Sequence, residues 1–232
     1  MKLNGTSLNI PHKAVADIDE VGDNHYLTSL DTPLREDAFE LSNEEKIDQI
    51  EAHFYEIMQI MGLDMEDESL SGTPRRVAKM YVNELFSGLD PENMPPATLF
   101  NNNYDYAQML VEKNITFFST CEHHFVPIYG KAHVAYYSSG KVIGLSKLNR
   151  IVQYFSRRPQ VQERLTEQIA AELKSILQTE DVAVIMDANH MCVASRGVRD
   201  THSSTVTAAY YGKFSDPRVR EELLHYVSQK TV

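Results

Sequence analysis

Ile115-Thr-Phe-Phe-Ser-Thr-Cys-Glu-His-His-Phe-Val-Pro-Ile-Tyr-Gly-Lys-Ala-His-Val-Ala-Tyr-Tyr137 is the stretch on which the fold turns. β-Branched and aromatic residues crowd Ile115 to Thr120 and again His133 to Tyr137, as in strands. Between them stands Cys121-Glu-His-His124, the densest group of metal-ligating side chains in the chain. Cys121 and His124 would face opposite sides of a straight strand. They converge only if the backbone turns there, and Pro127 fits a strand that ends nearby.

Working outward toward the C-terminus, Ser139-Gly140 suggests the tight turn of a hairpin leading into Val142-Ile143. Ser146 to about Gln178 has helical spacing, and Pro159 divides it. The short helix carries Ile151, Tyr154 and Phe155; the long one carries Val161, Leu165, Ile169, Leu173 and Ile176. Asp181 to Met186 and Thr201 to Tyr211 read as two more strands, and Asp216-Pro217 caps a last helix.

Toward the N-terminus, Ser42 and Glu45 form a capping-box pattern ahead of Ile47, Ile50, Phe54, Ile57, Met58 and Met61. Thr73-Pro74 opens a second helix with Val77, Met80, Tyr81, Leu85 and Phe86 on its apolar face and Gly88 at its stop. Residues 1–41 are polar and acidic without a sustained period, and are expected to form a flexible arm. The order is helices, two strands, two helices, two strands, helix. That is an α+β fold with antiparallel pairing.

The bulk numbers narrow the function. A chain of 232 residues suffices for one sizeable domain. A net charge of -11 argues against a general nucleic-acid or anionic-membrane binder. An anionic substrate would need a local basic cluster acting against that field. No apolar run approaches the roughly 18–20 residues that cross a bilayer, and Met1 to Lys13 does not resemble a signal peptide, so a cytoplasmic protein is expected.

The cysteines, Cys121 and Cys192, number two. In a reducing compartment they are either buried hydrophobes or ligands. Cys192 lies in His190-Met-Cys192, just past a predicted strand, so two strand ends can bring Cys121, His124 and Cys192 together. Thiolate and imidazole donors suit zinc, and three protein ligands leave a fourth position for water. His123 and His190 can either close the site as a fourth ligand or stay off the metal as acid and base.

Several motifs then go beyond spacing. Ser119-Thr-Cys-Glu-His-His-Phe125, Gly144-Leu-Ser-Lys-Leu-Asn-Arg150, Arg158-Pro-Gln-Val-Gln-Glu-Arg-Leu-Thr166, His190-Met-Cys-Val-Ala-Ser-Arg-Gly197 and Thr73-Pro-Arg-Arg-Val-Ala-Lys79 resemble the zinc-dependent GTP cyclohydrolase I family. The resemblance runs from about Glu45 to the final helix, in order. Ala194-Ser195 is less typical of the family's motif, at positions without a catalytic role there.

The resemblance implies an enzyme converting GTP and water to dihydroneopterin triphosphate and formate, the entry to folate and pterin cofactors. It implies a tunnelling fold whose subunits close a β-barrel ring, usually a homodecamer, with sites between subunits. Residues 42–232 would be the catalytic domain, with a helical pair over 42–90 and the tunnelling-fold core over 114–232. Position by position it implies zinc on Cys121, His124 and Cys192, with His123 and His190 as acid–base residues. Glu163, with Gln162 beside it, would anchor guanine. Ser146, Lys147, Arg150 and Arg196 would hold the triphosphate, joined by Arg76 and Lys79 from a neighbouring subunit. Arg75, Arg157, Arg158 and Arg199 read as ordinary surface charges. Other tunnelling-fold enzymes, the pterin synthases with three histidine ligands and the nitrile reductases with a cysteine nucleophile, fit the Cys, His, Cys set less well.

Overall fold

The structure, a computed structural model, describes residues 31–230, so most of the expected arm over 1–41 lies outside the described residues. Helix α1 (Asn43–Ile60) starts where the capping box places it: Glu45 N–H donates to Ser42 Oγ, and Ser42 N–H donates to the Glu45 carboxylate. Helix α2 (Thr73–Met80) has proline in its first turn and continues through a π turn (Tyr81–Leu85) and a 3-10 turn (Ser87–Leu89). Arg75 reaches from α2 to Glu44, Asp48 and Glu51, so it clamps the helical pair.

The core is an antiparallel sheet of β2 (Leu110–Cys121), β3 (Pro127–Tyr136), β6 (Val182–His190) and β7 (Thr205–Tyr210), extended at one edge by β5 (Pro159–Gln160). The order is β5-β2-β3-β6-β7, with β5 parallel to β2. Helices α3 (Leu145–Ser156) and α4 (Gln162–Leu177) cover one face. There Leu148, Ile151, Val152, Leu165, Ile169 and Leu173 meet Ile115, Phe117, Val134, Val184 and Met186 in one buried cluster. Each such side chain stabilises the fold by roughly 1.5–3 kcal/mol. On the other face Phe214 and Leu223, the latter from α6 (Pro217–Ser228), pack on Met109, Ala135, Ala183 and Ile185.

Two sequence expectations change. Val142-Ile143 does not form a hairpin with the strand before it. Strand β4 (Lys141–Ile143) pairs instead with β1 (Leu99–Asn101), a segment too short to show a period. Strand β3 also begins at Pro127 rather than His133. Its first half reads as a poor strand because Gly130 and Lys131 interrupt the apolar pattern. Gly130 is required by packing: a Cβ there would lie 2.0 Å from the Asp187 carbonyl oxygen.

Register then fixes where the sheet's chemistry-bearing end lies. Ser119 of β2 pairs with Ile128 of β3, and Ile128 pairs with His190 of β6. The end of β2, the start of β3 and the end of β6 therefore lie side by side, which brings the two cysteine segments to one rim.

Candidate metal and catalytic site

The backbone turns sharply after Cys121, as convergence of its side chain with His124 requires. Phe125 N–H donates to Cys121 O at 2.8 Å and Cys121 N–H donates to Val126 O at 2.9 Å. Phe125 takes a left-handed φ of 54° to close the loop. Glu122 N–H donates to Gln160 O at 3.0 Å, which ties the loop to β5. Cys192 sits in the short helix α5 (Met191–Ala194) that follows β6 directly.

The ligand atoms of Cys121, His124 and Cys192 all lie within 4.8 Å of one another, and Cys121 Sγ is 3.9 Å from His124 Nδ1. Tetrahedral zinc with bonds of about 2.3 Å to sulfur and about 2.0 Å to nitrogen has ligand–ligand edges of roughly 3.5–3.8 Å. The trio therefore fits a zinc-sized ion with a slight contraction, and its donors are of the right softness. Burial and the neighbouring Cys121 push the Cys192 thiol up to about 11. A cation held between the two sulfurs would instead favour their thiolates.

The histidines stand around this trio. His123 Nδ1 lies 3.8 Å from Cys121 Sγ, and its Nε2 lies 3.8 Å from the Glu122 carboxylate. His190 Nε2 is 2.7 Å from Gln162 Oε1. Burial lowers the His190 imidazole below its ordinary range, and the charge of nearby Glu163 opposes that shift. Glu163 lies in the first turn of α4, exposed. An Arg196 guanidinium nitrogen is 2.8 Å from His124 Nε2, which places one predicted phosphate residue at the metal trio.

The remaining predicted residues are arranged differently. Ser146, Lys147 and Arg150 occupy the first half of α3. Arg150 and Arg157 line the same cleft, of about 260 Å³, with Ser87, Asn93 and Tyr154. Arg76 donates to Ser69 O and Thr73 Oγ1 within its own segment, and Lys79 is exposed in the last turn of α2. Arg158 is no simple surface charge: it lies over the Tyr154 and Phe155 rings and donates to Gly88 O at 2.7 Å. Gln162 is 2% exposed and its amide is held inside the chain.

Sequence reasoning passed over the Glu122–Arg164 ion pair. Arg164 is 2% exposed on α4 and pairs with Glu122, the residue between Cys121 and His123. The signal was present: Arg164 and Gln168 fall on the same inward stripe as Val161, Leu165 and Ile169. A cation on an apolar stripe requires a partner.

Fold and site together define an α+β enzyme class in which three side chains that could hold a metal ion meet at a sheet rim beside two histidines. The family model described as GTP cyclohydrolase I matches residues 50–228. A protein of Flavobacterium johnsoniae named GTP cyclohydrolase 1 is 57% identical over 214 residues, covering 92% of this chain and 96% of its own length. Proteins of the same name from Vibrio parahaemolyticus and a Shewanella species are each 53% identical over 197 residues, covering 84% of this chain and 90% and 91% of their own lengths. The chain belongs to the GTP cyclohydrolase I family. Among the described residues no helix is long and apolar enough to cross a membrane.

Proposed function

We infer that this chain catalyses the GTP cyclohydrolase I reaction, in which GTP and water give dihydroneopterin triphosphate and formate. The observation that carries the reading is the Cys121, His124, Cys192 trio set beside His123, His190 and Glu163 in a chain of this family. The trio would hold zinc. When bound, zinc supplies the Lewis acid that lowers the pKa of water to about 7, which carbon 8 of the purine needs in its attacking nucleophile.

The chain's own residues do the rest. Guanine offers adjacent N–H donors, and one carboxylate accepts two of them, so Glu163 selects guanine over adenine. His190 hands a proton to the imidazole-ring nitrogen of guanine, and His123 serves the ribose ring oxygen when the sugar opens. Lys147, Arg150 and Arg196, with Ser146, hold the triphosphate against the chain's negative field.

Residues 42–232 are read as the catalytic unit, and the assembly as a ring of tunnelling-fold subunits, a decamer by resemblance. Strand β7 is an edge of the sheet, which supports a sheet continued by a neighbour, and the exposed pair Phe118 and Tyr129 on β2 and β3, stacked at 6.1 Å, supports a covered sheet face. Arg76 and Lys79 would then enter the site of an adjacent subunit.

Metal-loaded protein incubated with GTP should release formate and give a product that fluoresces as a pterin after oxidation. No formate would end the assignment. Glu163→Ala should keep its zinc and lose roughly 100-fold or more in kcat/KM for GTP, since two hydrogen bonds to a charged group are removed. Unchanged GTP kinetics would remove Glu163 from the guanine site.

A further inference from the structure

We propose that Gln162 is a positioning residue that holds His190 through its Nε2–H, so that Nδ1 is the ring nitrogen that takes up a proton from water and then hands it to the substrate. The argument is one of donors and acceptors. The Gln162 side-chain nitrogen lies 3.2 Å from Met186 O, 2.8 Å from Thr205 O and 3.1 Å from Thr207 Oγ1. Backbone carbonyls only accept, so the amide cannot be flipped.

The threonine agrees. Thr166 Oγ1 donates to Gln162 O at 2.8 Å and lies 2.6 Å from Thr207 Oγ1. With its one proton used there, Thr166 accepts from Thr207, and Thr207 in turn accepts from Gln162. The nitrogen end of the amide therefore faces three acceptors, and Oε1 must face His190, 2.7 Å away. An oxygen there accepts, so the His190 nitrogen opposite it carries hydrogen.

The arrangement is rigid. Gln162 is the first residue of α4 and its side chain crosses to β6 and β7, where Met186 and Thr207 are paired partners. Its 2% exposure leaves no room for a substrate contact at the amide. Gln162 thus acts on substrate through His190, while its neighbour Glu163 faces outward. Outer partners that orient a metal-ligating histidine govern about 10- to 100-fold in activity, and the same scale is expected for Gln162 acting on His190.

The catalytic consequence rests on reading His190 as an acid–base residue; the tautomer itself does not. Neutron diffraction from crystals of the wild-type, zinc-loaded protein, grown at alkaline pH and exchanged into deuterium oxide, decides it. A deuteron on His190 Nε2 with Nδ1 bare is expected. A deuteron on Nδ1 with Nε2 bare overturns the proposal, whatever the substrate.

Gln162→Met supplies the kinetic test. A kcat lowered about 10- to 100-fold with KM for GTP and zinc content unchanged is expected. A raised KM at constant kcat would make Gln162 a substrate contact, and a lowered melting temperature with kcat intact would make it structural; either overturns the assignment. If that variant does not fold, the deuterium map of the wild-type protein decides the proposal alone.

Discussion

Cys192→Ala is expected to leave a folded chain that no longer retains zinc through dialysis and no longer releases formate from GTP. The expectation follows from the ligand count. Three protein groups converge, with donor atoms within 4.8 Å of one another, and the thiol of Cys192 is one of two sulfur donors. Loss of an outer partner to a metal ligand already costs about 10- to 100-fold in affinity, so loss of a ligand should exceed about 100-fold.

The fold should tolerate the change. Cys192 is half-buried in a four-residue helix at the sheet rim, packed against the core rather than within it. Metal analysis of the purified variant, paired with its melting temperature, separates the two effects. Full zinc stoichiometry in Cys192→Ala would take Cys192 out of the ligand set. A His124→Ala variant, tested alongside, should show the same loss and in addition release Arg196 from its contact with His124 Nε2.

Much of the architecture was legible because periodicity and capping act locally. Ser42 and Glu45 announce α1 at its true start, and Pro159 breaks the long helical stretch where β5 intervenes. The short pairings were not legible. Strands β1, β4 and β5 have three, three and two residues, too few to carry a period, and their partners are chosen by tertiary contact. The convergence of Cys121, His124 and Cys192 was legible because Cys and His at strand ends are chemically conspicuous.

The placing of Gln162 was not legible. Nothing in a sequence tells whether an amide beside an exposed carboxylate points outward or back at the sheet. That is decided by where β6 and β7 put the Met186 and Thr205 carbonyls. Likewise Arg158 reads as surface charge, yet its guanidinium is pinned between aromatic rings and a backbone carbonyl. Burial lowers its guanidinium below the ordinary range without discharging it.

The Glu122–Arg164 pair carries the other large expectation. Arg164 is 2% exposed on its side chain and Glu122 24%, so the cation is out of water and the carboxylate is its facing charge. Removing one member of such a pair costs about 3–5 kcal/mol, because the other charge stays buried. For a chain of this size about 1 kcal/mol lowers the melting temperature by roughly 2–4 °C. Glu122→Leu should therefore melt roughly 6–20 °C below wild type. Arg164→Met should fall less, since Glu122 can turn toward water. The double variant Glu122→Leu, Arg164→Met should recover part of the loss, because an apolar pair of similar volume is often neutral.

A double-mutant cycle on thermal unfolding measures the coupling. A coupling within about 1 kcal/mol, the value of an exposed pair, would mean that the two charges are held apart in solution. The pair has a second reading through the metal. Glu122 is bonded to Cys121 on one side and His123 on the other, and Arg164 follows Glu163 on α4. The ion pair is thus the link between the loop that carries Cys121 and His124 and the turn that presents Glu163. Glu122→Leu should weaken zinc binding about 10- to 100-fold even below its melting temperature, as loss of an outer partner does. Wild-type zinc affinity in a destabilised Glu122→Leu would confine the pair to holding α4 against the loop.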